Sequence, residues 1–441
     1  MTDHESPPWA QPEGDLTSPP PPAPGRVPPP DPDVPLAGWW GSPGWAPEPP
    51  PPRRRWVPVV GAVGVVAVIA LVGGLFAVRR DGDQASPSPG EPPSGSSESF
   101  DAVVADITAF VERERGLEFE APVEVELADD EEFAGRLLED FEESRDDIAE
   151  SQLALQATGL IEPGTDLFEV LEETLSAGVV GFYDPETDEL VVRGTDTTPY
   201  VRVTMAHELV HALDDQHFEL DRPEIEESDG EDGFGFDAVV EGNAVRIEES
   251  YLAALSDAER DAYFDEETEI GRNFPVFSIP QVVIEMLVAP YTLGPVLVER
   301  VLDAGGQEAL DAAFEDPPVT SEQVLEPETF IEGEGPRPVA APAADGAVAS
   351  EGAFGAFPLQ LLLGQELADA EVEEAVSGWG GDAYVAWQDG RRTCIRASFV
   401  GDTEADTEEL TDALEEWAVE DGEAEVSGGS DGDPVTFTRC A

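Results

Sequence analysis

The chain has 441 residues, of which 97 are acidic and 22 are basic, so that its formal net charge is −75. A chain this acidic repels phosphate backbones and anionic lipid surfaces. Its charge therefore argues against a nucleic-acid-binding protein and against a protein that binds membranes through a polybasic segment. Its two cysteines cannot form a thiolate zinc cluster or a disulfide-dense small domain. The hydrophobic fraction of 41% is typical of globular proteins and argues against disorder along the whole chain.

Residues 1–55 are predicted to form a Pro-rich, disordered cytoplasmic tail. Nineteen of the 41 prolines lie within the first 52 residues, in runs such as P-P-P-P. A segment without an apolar period cannot bury enough surface to offset the entropy cost of ordering, and its prolines favour polyproline II conformation. Trp39, Trp40 and Trp45 could contact a cytoplasmic partner of this tail.

Residues 56–80 are predicted to form a transmembrane helix. Val57–Val78 is an uncharged run of 22 residues, and at about 1.5 Å per residue it spans roughly 33 Å, the thickness of a bilayer core. Arg53–Arg55 precede the run and Arg79–Arg80 follow it, a weak bias towards a cytoplasmic N-terminus. We therefore expect a single-pass protein of the cell membrane, with residues 81–99 as a flexible linker to an extracellular part.

Residues 100–377 are predicted to form a mainly helical domain with a small sheet. Val179–Tyr183 and Glu189–Val192 flank the sequence D-P-E-T-D, a pattern that predicts a β-hairpin. Met286–Val298 is uncharged, but it has only 13 residues and two prolines. It is therefore too short to span a membrane and predicts a buried helix pair broken at Pro290.

Residues 378–441 are predicted to form a small α+β appendage, so that the fold class of the whole extracellular part is α+β. The predicted elements are strand Ala383–Trp387, strand Arg392–Phe399, helix Thr403–Val419 and strand Val435–Thr438. Cys394 lies on the second strand and Cys440 directly after the last. In an oxidising exterior these two could form a disulfide that closes a long loop; free thiols are the alternative.

Histidine is scarce, yet three of the four histidines fall within eleven residues. His207, Glu208 and His211 form the pattern H-E-x-x-H. Residues four apart lie on one face of a helix, so both imidazoles can bind one zinc ion. Glu208 can reach a water at that metal without itself binding it, take a proton from the water and pass it to a leaving amine. The pattern therefore predicts a zinc-dependent hydrolytic site.

Two residues compete as the third zinc ligand. His217 has the spacing of the pattern H-E-x-x-H-x-x-G-x-x-H, but Asp214 stands where that pattern has Gly, and Asp adopts left-handed geometry less readily. Glu241, in V-V-E-G-N-A, opens a helical pattern from which its carboxylate could project towards the first helix. We favour Glu241 over His217 and leave both open at this point.

The sequences H-E-L-V-H-A-L-D-D-Q-H-F at 207–218 and E-G-N-A at 241–244 resemble the gluzincin type of zincin metallopeptidases. More narrowly, the chain is similar to membrane-anchored actinobacterial proteins predicted to be metallopeptidases. The resemblance implies a zincin-like fold, with His207, His211 and Glu241 as zinc ligands and Glu208 as the general base. It also implies that the strand at Val179–Tyr183 lines the cleft and pairs with an extended peptide substrate.

The sequence thus predicts a membrane-anchored zinc peptidase that acts on a peptide or protein substrate and has no nucleic-acid partner. Tyr183, Tyr251 and Tyr291 are candidates for stabilising an oxyanion, although packing is the simpler explanation for each. The alternative function is a non-enzymatic cell-envelope interaction module with a structural zinc site. In that case Asp214 or His217 would supply the fourth ligand that structural zinc requires.

Overall fold

Helices account for most of the residues that the structure describes, in segments where apolar residues recur every three or four positions. The computed structural model describes residues 66–69, 99–139, 141–226, 231–430 and 432–441. Their α-helices are α1 (Phe100–Arg115), α2 (Asp130–Leu137), α3 (Arg145–Thr158), α4 (Leu167–Gly178), α5 (Pro199–Phe218), α6 (Pro223–Glu226), α7 (Asp232–Ala254), α8 (Asp257–Asn273), α9 (Gln281–Glu315), α10 (Ser321–Leu325), α11 (Pro327–Glu332), α12 (Ala356–Leu363), α13 (Asp369–Val376) and α14 (Glu404–Asp421). Their strands are β1 (Val66–Ile69), β2 (Val125–Ala128), β3 (Val179–Asp184), β4 (Glu189–Arg193), β5 (Ala347–Gly352), β6 (Trp379–Asp389), β7 (Arg392–Gly401), β8 (Glu425–Gly428) and β9 (Val435–Cys440).

The predicted transmembrane helix overlaps the described residues only at β1. These four residues are a strand that pairs antiparallel with β3, with Val68 opposite Gly181. They differ from the predicted helix because the sequence V-A-V-I is rich in β-branched residues, which favour strands where a sheet edge is available. The predicted Pro-rich tail, the rest of the predicted span and residues 81–98 of the predicted linker lie outside the described residues.

The first sheet has the strand order β1-β3-β4-β2. Strands β3 and β4 form the predicted hairpin, and β2 pairs parallel with β4. Side chains alternate between the two faces of this sheet, as strand geometry requires. Tyr183, Leu190 and Val192 pack with α1 and α5, whereas Phe182 and Val191 pack with α2 and α4. Helices therefore cover both faces, and α5 lies directly against β3 and β4.

Helix α9 corrects one prediction, because it continues through Pro290 and Pro295. Its interruption lies at Gly306, where φ is 69° and ψ is −158°. A proline inside a helix removes one hydrogen bond and costs about 3 kcal/mol, and the extensive burial of α9 offsets that cost here. Within the described residues, α9 is the helix long and apolar enough to cross a membrane, but 67% of its most apolar window is buried inside the protein.

The second sheet is antiparallel and has the strand order β5-β6-β7-β9-β8. The three strands and the helix predicted for the appendage are present as β6, β7, β9 and α14, and the sheet also includes β5 and β8. Leu410, Leu414 and Trp417 of α14 pack on this sheet. Cys394 and Cys440 lie opposite each other on β7 and β9 and form a disulfide across 46 residues. The mixture of helices and sheets confirms the α+β class.

Candidate metal centre

Helix α5 places both histidines of the H-E-x-x-H pattern in the protein interior. The helix begins after Thr198, whose hydroxyl accepts a hydrogen bond from Val201 N at 3.2 Å, and Pro199 occupies its first turn. These are typical helix-start residues. The side chains of His207 and His211 are fully buried, one turn apart, with their ring centroids 4.7 Å apart. The two imidazoles therefore face the same interior space.

Glu241 on α7 completes a cluster of three candidate metal ligands. One ligand atom from each of His207, His211 and Glu241 lies within 4.8 Å of the other two. Glu241 Oε2 is 3.1 Å from His207 Nε2 and 3.5 Å from His211 Nε2. Two atoms bound to one zinc ion at its usual ligand distances lie roughly 3.3 Å apart in tetrahedral geometry. The donor set therefore fits a metal ion such as zinc without a large rearrangement.

His211 gives a second indication of a metal. Neither of its ring nitrogens makes a hydrogen bond within the described residues, since 3.5 Å to Glu241 Oε2 is too long for a good one. Burial lowers the pKa of this imidazole, opposed by the charge of Glu241. A buried nitrogen that lacks a hydrogen bond costs about 1–3 kcal/mol, and coordination to a metal would remove that cost.

Sequence reasoning missed Glu248, whose carboxylate contacts one ring nitrogen of His207 while Glu241 contacts the other. His207 Nδ1 lies 2.8 Å from Glu248 Oε2, an arrangement that orients a ligand ring and makes it more basic. Burial would lower the pKa of His207, but the hydrogen bonds to Glu241 and Glu248 outweigh it and raise the pKa to about 10. Glu248 follows Glu241 by seven residues, or two helical turns, and this spacing was the available signal.

Glu208 lies between the two candidate metal ligands on α5 and is packed against β3. It is fully buried. The backbone of Gly181 on β3 comes so close that a Cβ atom there would be 2.8 Å from Glu208 Oε1 and 2.5 Å from Thr204 Cγ2. Glycine at position 181 therefore leaves the space that the Glu208 carboxylate occupies beside the sheet.

This contact predicts that Gly181→Ala disturbs Glu208 without removing any metal ligand. The added methyl group would displace the carboxylate, and misplacement by about 1 Å costs on the order of 100-fold in rate. In a zinc-dependent hydrolytic site of the kind that H-E-x-x-H predicts, hydrolysis would fall by at least 10-fold and zinc affinity would change by less than twofold. Gly135→Ala on α2, where nothing lies within 4 Å of the new Cβ, is the matched control. Equal hydrolysis rates for the two variants would disprove this role of Gly181.

The three tyrosines that are candidates for stabilising an oxyanion have different contacts in the structure. Tyr291 on α9 donates a hydrogen bond to Glu241 Oε1 at 2.8 Å. Tyr183 donates to Asp215 at 2.7 Å, and Tyr251 packs edge-on against Phe110. Among the described residues, Tyr291 thus contacts a candidate ligand, whereas the contacts of Tyr183 and Tyr251 fit the simpler packing explanation.

His217 and Asp214 lie on the same helix but have other partners. His217 Nε2 donates to the carbonyl of Glu118 at 2.9 Å. Asp214 accepts hydrogen bonds from Arg115 Nε and from Asn243 Nδ2, each at 2.6 Å. Asp214 therefore links α5 to α1 and to α7. Among the described residues, the group that could hold a metal ion contains Glu241 and not His217.

Comparison with known proteins gives one match, and it lies away from this cluster. No curated protein and no solved structure matches the chain. Residues 337–439, which include most of the second sheet, match the model of a domain of unknown function (DUF8575).

Proposed function

We propose that the chain is a membrane-anchored, zinc-dependent peptidase of the zincin type. The observation that carries this proposal is the buried cluster of His207, His211 and Glu241, in which the Glu241 oxygen lies at 3.1 and 3.5 Å from the two imidazoles, close to the separation of two ligands on tetrahedral zinc. Glu208, on the same helix turn, supplies a carboxylate that is not part of this cluster. A three-ligand set with a neighbouring carboxylate is typical of catalytic rather than structural zinc.

In this proposal Glu208 acts as the general base. A bound zinc ion would polarise the peptide carbonyl and lower the pKa of a water molecule. Glu208 accepts the proton of that water and later donates it to the leaving nitrogen. Glu248 keeps the ring of His207 oriented through the hydrogen bond to Nδ1. Among the described residues, the cluster contains three donors, which favours the peptidase over a structural site with four protein ligands.

Strand β3 would hold the substrate as an extended chain. In the structure, β1 pairs antiparallel with β3, and this pairing supports the use of the same edge by an extended peptide. Val68 lies opposite Gly181, and Gly181 is the residue packed against Glu208. A peptide that pairs with β3 in place of β1 would therefore pass directly beside the proposed base.

The location outside the cell rests on two features. The uncharged run Val57–Val78 is long enough to cross a bilayer, and as an anchor it would withdraw Val66–Ile69 from the edge of β3 with which these residues pair in the structure. The disulfide between Cys394 and Cys440 is typical of proteins in an oxidising compartment. Both support a single-pass anchor with a cytoplasmic N-terminus and an extracellular catalytic part.

The identity of the third ligand is tested by two alanine variants. Glu241→Ala should weaken zinc binding by more than 100-fold, since even the groups that support metal ligands are each worth about 10–100-fold. His217→Ala should leave zinc binding within twofold of wild type, because its imidazole contacts the Glu118 carbonyl instead. Zinc affinity is measured by competition with a chromophoric chelator. The reverse result would indicate His217 as the ligand.

A further inference from the structure

The two oxygens of Glu241 have different surroundings. Oε2 faces His207 Nε2 at 3.1 Å and His211 Nε2 at 3.5 Å. Oε1 accepts the hydrogen bond from the Tyr291 hydroxyl at 2.8 Å. Tyr291 is itself buried, and its ring lies nearly parallel to that of His207, with the centroids 6.3 Å apart. One oxygen is thus directed at the histidines and the other is held by a phenol.

A close crossing of α7 and α9 puts Tyr291 within reach of Glu241. A Cβ atom on Gly242 would lie 2.3 Å from the backbone carbon and oxygen of Gly294. A Cβ atom on Gly294 would likewise lie 2.3 Å from the carbonyl oxygen of Ala238. Only glycine at both positions allows the two backbones to touch. Glu241 directly precedes Gly242, and Tyr291 lies one turn before Gly294, so the crossing fixes the distance between carboxylate and phenol.

The way in which Glu241 binds a metal decides how many coordination positions remain. A carboxylate that binds through both oxygens fills two positions, whereas one that binds through a single oxygen fills one. A catalytic zinc site needs a position for water or substrate beside its three protein ligands. A hydrogen bond that occupies Oε1 disfavours binding through both oxygens.

We propose that Tyr291 is a positioning residue that holds Glu241 Oε1, so that the carboxylate presents only Oε2 to the metal and one coordination position stays open. This inference rests on the proposed function. The sequence Y-T-L-G at 291–294 thereby has a role in the metal site. Its tyrosine donates the hydrogen bond to Glu241, and its glycine allows α9 to lie close to α7.

The test compares Tyr291→Phe with Tyr200→Phe. The first variant removes the hydroxyl and keeps the ring, and the second makes the same change at another buried tyrosine, whose ring packs against Tyr263. Zinc is titrated into the metal-free full-length proteins in competition with a chromophoric chelator. We expect Tyr291→Phe to weaken zinc binding by about 10–100-fold and Tyr200→Phe to change it by less than twofold. Equal zinc affinity in Tyr291→Phe and wild type would overturn the inference.

A second measurement needs no variant. X-ray absorption of the zinc-loaded wild-type protein should give four ligands, with a single oxygen from a carboxylate and one position taken by water. A carboxylate bound through both oxygens would overturn the inference even if Tyr291→Phe failed to fold. A wild-type protein that does not bind zinc would instead contradict the proposed function itself, so the two failures are distinguishable.

Discussion

Glu208→Gln is expected to abolish peptide hydrolysis while zinc remains bound. The amide cannot accept a proton from water, and loss of a general base costs about 10²–10⁴-fold in rate. Glu208 is not among the three clustered ligands, so zinc affinity should stay within a few-fold of wild type. Cleavage of a peptide library and zinc titration on the same preparation measure the two effects separately.

The control for this variant is Glu172→Gln, the same change at an exposed position of α4. It should leave both hydrolysis and zinc binding within twofold of wild type. If Glu208→Gln keeps more than a tenth of the wild-type rate, Glu208 is not the general base. If the Glu208→Gln variant also loses zinc binding, Glu208 contributes to holding the metal.

Asp214→Ala should give the largest loss of stability among single substitutions near the site. The guanidinium of Arg115 and the carboxylate of Asp214 are both fully buried and hydrogen-bonded at 2.6 Å. Removing Asp214 leaves the buried Arg115 with the partly exposed Asp311 as its remaining carboxylate partner, and loss of one partner of a buried ion pair costs about 3–5 kcal/mol. Urea unfolding followed by circular dichroism measures the free energy of unfolding.

The comparison variant is Asp311→Ala, which removes the second partner of Arg115, at 2.7 Å. The side chain of Asp311 is 34% exposed, so its loss should cost no more than about 1 kcal/mol. The double variant Arg115→Met/Asp214→Leu should recover most of the stability, because it leaves no unpaired charge in the interior; the carboxylate of Asp311, which loses its partner, is partly exposed to water. A cost below 1 kcal/mol for Asp214→Ala would show that the buried pair does not stabilise the junction of α1, α5 and α7.

The parts of the site that follow local rules were predictable from sequence. The four-residue spacing of His207 and His211 requires one helix face, and α5 provides it. The turn residues between β3 and β4 predict the hairpin, which the structure confirms. The helical pattern after Glu241 predicts a carboxylate that projects towards the first helix, and the structure brings Glu241 to the two histidines. The prediction that this helix opens at Glu241 is wrong, because α7 begins at Asp232.

The remaining features depend on contacts between segments far apart in sequence. Nothing near Tyr291 predicts its hydrogen bond to Glu241, because that contact arises from the crossing of two helices at Gly242 and Gly294. Helix α9 continues through Pro290 because tertiary burial outweighs local propensity. Strands β5 and β8 are short edge strands of the second sheet, and their alternation is too weak to stand out in the sequence.

The most direct test of the central claim is one combined measurement on the purified full-length chain. Its metal content is determined, and cleavage of a peptide library is followed before and after treatment with a chelator. The proposal predicts close to one zinc ion per chain and cleavage that stops with the chelator and returns when zinc is added. A chain that cleaves equally well after its metal is removed, or that binds no zinc, would contradict the assignment of His207, His211 and Glu241 as the centre of a zinc peptidase.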